Sequence, residues 1–385
     1  MLEKRPIVIN RSLAGTTKIE LIATLLRDLG HEVEVISQGE ISQQEWQYYP
    51  ALLEADLFDP QIPVFYSSAL PIRRVNGWWS KMATLRYFKS RHAARPFDVV
   101  IIYNLKTAQI GCASHAIRRL GLPVILEYED DVFVNVNGET ERGSWFKNNQ
   151  AVGYRNIMVT VSAGIAASPH LLSQFPAETP ALLLRGVIGG DILASSKRND
   201  RTKKKMVLFS GTHTKSKGIE PLIRAWRSLA NDEWELHITG SGELTEVLKK
   251  MAQGIKGIVF HGFVTRAQLV ELLSTAKICI NPHETSQTPG NVFAFKLIEY
   301  LAAGAHVITT PMGPLEGGLE AGITYIPDNA PATIEEALRQ VIRDGHTESI
   351  AAKAAQDLYG PTAVTKSLDE LLVRVVAGKS KRKNS

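Results

Sequence analysis

Short apolar runs alternate along this chain with segments whose apolar residues recur every third or fourth position. The runs read as buried strands: Pro6–Asn10, Glu32–Ser37, Asp98–Tyr103, Pro123–Glu127, Asn156–Ser162 and Ala181–Leu184 in the first half. Met206–Ser210, Trp234–Thr239, Ile258–His261, Ile278–Ile280 and His306–Thr310 follow in the second. The segments between them read as helices. Thr17–Leu29 shows Ile19, Ile22, Ala23 and Leu26 on one face, and Thr107–Leu120, Ile219–Leu229, Asn291–Ala303 and Thr365–Ala377 behave alike. Helix ends are marked too. Ser168–Pro169 is an N-cap and N1 pair, Thr265 with Gln268 makes a capping box, and Thr333 with Glu336 predicts another. Gly30, Gly121 and Gly304 stand where a left-handed residue ends a helix. Gln38–Leu70 commits to no pattern. Strand, helix, strand in repetition is the grammar of parallel sheets.

The chain has 385 residues, too many for one core of ordinary size. The pattern therefore predicts an α/β protein of two domains, residues 1–194 and 206–364. The polar, charged stretch Ser195–Lys205 reads as their linker. With 44% hydrophobic and 22% charged residues, disorder is excluded as an explanation. No apolar run reaches the ~18 residues of a membrane-spanning helix, and the N-terminus enters a strand rather than a signal peptide. Cys112 and Cys279 both lie in apolar surroundings, which argues against a disulfide scaffold or zinc site and fits a reducing cytoplasm.

Charge changes the picture in one place. Net charge is only +5, yet Pro71–Pro96 carries Arg73, Arg74, Lys81, Arg86, Lys89, Arg91 and Arg95 without an acidic residue. Val75, Trp78, Trp79, Met82, Leu85 and Phe88 recur there at helical spacing. Such a helix suits an anionic membrane surface, with Arg73, Arg74, Trp78, Trp79 and Lys81 as contacts. The alternative is a Trp face packed on the first domain's sheet with a solvated basic face. No nucleic-acid motif accompanies the charge. A basic tail, Gly378–Ser385, ends the chain.

Candidate chemistry gathers at strand ends. The helix opening at Asn291, Val292, Phe293 and Ala294 offers free N–H groups to a phosphate, and Lys296 adds a cation. Glu299 could accept hydrogen bonds from sugar hydroxyls; alternatively Lys296 and Glu299 are a solvated i,i+3 pair. The loop G-T-H-T-K-S-K-G supplies Gly211, Thr212 and Lys217, with His213 and Lys215 as further positive groups. Gly240, in G-S-G-E, marks a place where something approaches the backbone. In E-Y-E-D-D, Glu127, Glu129, Asp130 and Asp131 crowd one strand end and suggest a metal site, a general base or hydrogen bonding to hydroxyls. The absence of G-K-[ST] and of G-x-G-x-x-G speaks against a P-loop ATPase and a dehydrogenase.

The segment F-K-L-I-E-Y-L-A-A-G-A-H-V-I-T-T resembles the signature of retaining glycosyltransferases of family 4, glycosyl transferases group 1. The resemblance covers Met206 to Asp344 well and the first domain in outline. It implies the GT-B fold, two Rossmann-like doubly wound parallel-sheet domains facing across a cleft, with the final helix (about 365–377) crossing back to the first. It implies a nucleotide-sugar donor, no cofactor and no metal, and a saccharide or lipid-linked acceptor. Glu299 would hold the donor ribose. Lys217 would stabilise the departing diphosphate, and Thr212 stands where the family has Arg. Asn291 stands where the family has the first Glu of E-x7-E, with Glu284 as a possible substitute. Strand ends near Gly240 and Val264 would meet the base, and Gly15, in the first turn of the chain, would permit close approach. Glu129 replaces a His near the reacting centre, while Asp130 keeps the family's Asp. The missing Glu and Arg leave a non-catalytic binding subunit as one alternative, and a nucleotide-sugar isomerase is the other.

Overall fold

The computed structural model describes residues 13–38, 48–54, 62–70, 72, 75–131, 145–196, 203–285, 294–313, 315, 317–345 and 350–383. The strand expected at Pro6–Asn10 lies outside them, as do Asn291, Val292, Phe293, Arg73 and Arg74. The chain forms two compact units, one of residues Met1–Val187 with Val364–Ser385 and one of Ile188–Ala363.

The first unit runs α1 (Leu13–Asp28), β1 (Val35–Ser37), β2 (Leu52–Glu54), β3 (Val64–Tyr66), α2 (Asn76–Ala94), β4 (Val100–Tyr103), α3 (Thr107–His115), β5 (Val124–Tyr128), α4 (Trp145–Met158), β6 (Ala163–Ala166), α5 (Pro169–Leu172) and β7 (Ala181–Leu183). β4-β5-β6-β7 is wholly parallel; β3 pairs parallel with β1 and antiparallel with β2. Side chains alternate across β5. Val124, Leu126 and Tyr128 face a core with Phe88, Cys112 and Ile157, whereas Ile125 faces Ile22, Leu25 and Leu26 of α1. β5 is therefore buried on both sides, which is why it reads as an unbroken apolar run.

Two expectations are corrected here, and one alternative is set aside. Asn156–Ser162 is no strand: Ile157 and Met158 end α4, and the strand follows at Ala163–Ala166. Gly15 lies inside the first turn of α1, not in a loop before it. On α2 the buried stripe is Asn76, Ser80, Thr84 and Phe88, so the Trp face does not pack inward as a unit. Trp78 is 61% exposed and Met82 47%. Trp79 is half-buried, its indole N–H donating to Ser68 Oγ at 3.1 Å. Lys81 lays its stem over Gly111 of α3.

The second unit runs α6 (Gly190–Ser196), β8 (Lys204–Ser210), α7 (Ile219–Leu229), β9 (Glu235–Thr239), α8 (Thr245–Ala252), β10 (Ile258–Gly262), α9 (Arg266–Thr275), β11 (Ala276–Asn281), α10 (Lys296–Ala302), β12 (His306–Thr309), β13 (Ile323–Tyr325), α11 (Pro331–Asp344) and α12 (Ile350–Tyr359). It starts ahead of the polar stretch expected as linker, because Ile188 and Ile192 pack into its core. α11 opens on Pro331, with Ala330 rather than Thr333 at the N-cap. The sheet is wholly parallel, ordered β10-β9-β8-β11-β12-β13. One face packs against α6, α9, α10 and α12, the other against α7 and α11. The last helix, α13 (Pro361–Lys383), buries Val364, Leu368, Leu371 and Val375 in the first unit's core.

Candidate functional site

In the second sheet the strand order reverses between β8 and β11. The chain leaves β8 for α7 on one face and β11 for α10 on the other. The two loops diverge there and open a crevice beyond the strands' carboxyl ends, where ligands of such sheets lodge. Lys217, His283 and Lys296 all belong to these connections.

The crevice floor is backbone packed on backbone. A Cβ on Gly240 (φ +105°) would meet the Gly211 carbonyl oxygen at 1.9 Å, and one on Gly218 (φ +69°) the Pro282 oxygen at 1.8 Å. What approaches Gly240 is thus the chain itself. His213 fastens the same floor. Its N–H donates to Ser241 O at 3.1 Å and its oxygen accepts from Leu244 N–H at 3.1 Å. Its fully buried ring lies 2.9 Å from Thr245 Oγ1, and burial lowers its pKa, so it adds no positive charge. Lys215 and Thr212 are exposed, and Val264 is half-buried beyond β10.

Two lysines dominate the crevice electrostatics. Lys217 ends a single helical turn, Lys215–Lys217, and burial lowers its pKa. Lys296 begins α10. Its ammonium donates to Ser210 O at 3.2 Å and stands 4.7 Å from the Phe209 ring centre. Burial, then the charge of Lys217, pushes Lys296 down to about 7. Among the described residues neither lysine has a carboxylate within ion-pair distance. The pair is not the solvated i,i+3 arrangement: Glu299 is buried and bound elsewhere. The described helix starts at Lys296, with Ala294 before it outside the helix.

Glu299 Oε1 accepts from Arg266 Nη1 at 2.6 Å. Burial raises its pKa and Arg266 opposes that. Arg266 stands right behind the capping Thr265, and no sequence signal distinguishes it from any long basic residue in a first helical turn.

In the first unit, the β5 strand end is tied down. Lys18 of α1 is buried, with its ammonium 2.7 Å from Glu127 Oε1, 2.9 Å from Leu184 O and in contact with Glu129 Oε1. Burial would lower the Lys18 pKa, but Glu127 and Glu129 outweigh it and the pKa is raised. Glu127 is pushed well above the carboxylate range by burial, against the pull of Lys18. Asn104, left-handed at φ 59°, accepts the N–H groups of Glu129 and Asp130 at 2.8 and 3.1 Å and donates to Asp130 Oδ2 at 3.0 Å. Asp131 meets His170 Nε2 at 2.9 Å and Gln174 Nε2 at 2.8 Å. Of the acidic cluster only Asp130 is exposed. The crowd of acids calls for a cation, but nothing in the sequence points to Lys18, 111 residues from Glu129. Among the described residues no group of His, Cys, Asp and Glu is arranged to hold a metal.

Residues 204–344 match the model of glycosyl transferases group 1, and residues 15–178 that of the glycosyl transferase 4-like domain. An uncharacterised glycosyltransferase of Methanocaldococcus jannaschii is 32% identical over 163 residues, 40% of this chain and 40% of the relative. The chain thus matches less than half of that relative's length. Sucrose-phosphate synthase of Thermosynechococcus elongatus has a similar fold (TM-score 0.68, 15% identity, 94% of this chain and 93% of the other). So has Anabaena HepE solved with UDP and glucose (TM-score 0.66, 16% identity, 95% and 97%). At these identities the likeness is one of fold, GT-B.

Proposed function

The chain belongs to the group 1 glycosyltransferases, with a 4-like first domain, and from that premise we propose that it transfers a sugar from a nucleotide-sugar donor, with retention and without a metal. The observation that carries the proposal is the pair Lys217 and Lys296: two half-buried cations at a topological switch point, unneutralised by any described carboxylate. A nucleoside diphosphate supplies the missing negative charge. When it departs from the sugar it gains charge, and fixed cations stabilise it most in the transition state. Glu299 accepts from the ribose hydroxyls, and Gly211, Gly240 and Val264 line the donor's path. The sugar contact falls to Asn291 and its neighbours. Asp130, exposed and held by Asn104, is the acceptor-side carboxylate; Glu129, bound to Lys18, shapes the strand end rather than acting as a free base.

The acceptor is proposed to be a saccharide or lipid-linked saccharide at an anionic membrane, on its cytoplasmic side. No helix among the described residues is long and apolar enough to cross a membrane. The support is the outward ridge of α2, where Trp78, Met82, Arg86 and Lys89 are exposed together.

Calorimetry with UDP, GDP, ADP and TDP tests the donor site; the UDP in the HepE structure makes UDP the first probe. One nucleotide is expected to bind, and Lys217→Ala or Lys296→Ala to weaken it roughly ten- to hundred-fold, the worth of a charge-assisted hydrogen bond. A folded wild type that binds none points to a non-catalytic subunit. Conversion of the donor without acceptor points to an isomerase.

A further inference from the structure

Glu299 is held from behind by a second ion pair. Arg266 gives Nη1 to Glu299, and Nε and Nη2 to Asp191 of α6 at 2.7 and 3.0 Å. Asp191 is itself fixed, its Oδ1 accepting the Ile192 N–H at 2.8 Å. The pair lies directly over Gly189: a Cβ there would stand 2.3 Å from Asp191 Oδ1 and 2.9 Å from Arg266 Nη2. The fork is therefore built in from three sides. The second Glu299 oxygen takes no hydrogen bond from the described residues.

We infer that Asp191 and Arg266 are positioning residues for ribose recognition, clamping one oxygen of Glu299 so that the other is presented to the nucleotide's ribose hydroxyls. This rests on the donor reading above and deepens it. An ionised carboxylate only accepts, and ribose hydroxyls donate. Burial favours the protonated form, which would turn one oxygen into a donor and spoil the match. The guanidinium opposes that, and its planar fork fixes the carboxylate plane as an ammonium cannot. Asp191 in turn keeps Arg266 from swinging into the crevice to compete for phosphate. Burial would raise the Asp191 pKa, but its bonds to Arg266 and to backbone N–H lower it, so the anchor stays charged.

The competing explanation is a static clamp joining α6, α9 and α10 with no part in recognition. Dissociation constants for UDP and 2′,3′-dideoxy-UDP separate the two, or the corresponding pair for whichever base binds. They are measured on wild type, Arg266→Lys, Asp191→Asn, Gly189→Ala and Glu299→Gln, each with its melting temperature. Wild type should prefer the ribonucleotide by roughly ten- to hundred-fold, because the dideoxy analogue leaves the second oxygen of a buried carboxylate without a donor. Arg266→Lys and Asp191→Asn should cut that preference about three- to ten-fold while leaving dideoxy affinity within about two-fold. Gly189→Ala should act in the same direction without removing a charge. In the Glu299→Gln background Arg266→Lys should change the ratio no further. Lower melting temperatures with an unchanged ribose preference would overturn the inference alone. Absence of nucleotide binding by folded wild type would overturn it together with the donor reading.

Discussion

Lys296 is a cation placed where its charge is disfavoured. Its pKa, near 7 in the unliganded protein, lies below the 10.5 of an unstrained lysine. Between those values the unfolded chain binds more protons than the folded one. Lys296 therefore contributes destabilisation that is full below about pH 7 and disappears as pH rises toward that of a free lysine. Binding a diphosphate reverses the sign, since an anion beside the ammonium raises its pKa. Nucleotide binding above pH 7 should take up a proton, and affinity should fall with rising pH by at most about tenfold per unit. Calorimetry in buffers of different ionisation enthalpy reads that uptake directly. Lys296→Met should abolish it, while Lys217→Ala, which removes one cause of the lowered pKa, should move it to higher pH; pH-independent binding with no uptake would remove Lys296 from the diphosphate site.

At the scale of elements, legibility followed burial. Five of the second sheet's six strands read as apolar runs, the inner ones because both their faces are covered, whereas the short, part-exposed edge strand β13 has no such signal. β6 does not read as a strand because its sequence is A-G-I-A: a Cβ on Gly164 would stand 2.5 Å from the Phe175 ring, so small residues are enforced in place of strand-formers. The apolar Ile157, Met158 and Val161 nearby close α4 and its exit turn, mimicking a strand. Lys217, Lys296 and Glu299 were readable as groups without an apolar role. Lys18, Asn104 and Arg266 were not, because each partner lies 25 or more residues away, as Asn104 and Glu129 do, and only the fold joins them. α2 shows the same limit. Its periodic apolar residues suit a membrane-facing ridge or, as the alternative, an inward Trp face, and the stripe that packs is mostly polar and small. That leaves Trp78 and Met82 outward beside Arg86 and Lys89, and gives the helix a direct test. Full-length protein should cosediment with vesicles containing phosphatidylserine and not with phosphatidylcholine alone. Trp78→Ala with Lys89→Ala should weaken this about ten- to hundred-fold, combining the loss of a ring that the headgroups would cover with about 1 kcal/mol for the basic residue. Equal sedimentation of wild type and variant would leave this ridge without a membrane role.

The whole molecule carries two sets of cores, and the proposed donor residues Lys217, Lys296 and Glu299 all belong to the second unit. Unfolding then need not be a single all-or-none event, and a ligand stabilises only the structure that binds it. Scanning calorimetry should resolve two transitions. A nucleotide at about a hundred times its dissociation constant adds roughly 2.7 kcal/mol to the unit that holds it. For a unit of this size each kcal/mol moves a melting temperature by about 2–4 °C, so the expected rise is roughly 5–11 °C in one transition alone. At the same nucleotide concentration Lys217→Ala should cut the rise to roughly 1–6 °C without moving the other transition. α13 sharpens the assignment. Its Val364, Leu368, Leu371 and Val375 complete the first unit's core, so Leu368→Ala should lower the nucleotide-insensitive transition, by the roughly 2–5 kcal/mol of a buried leucine truncation. If nucleotide moved both transitions equally, the donor residues named here could not account for binding on their own, and groups of the first unit would have to share the ligand.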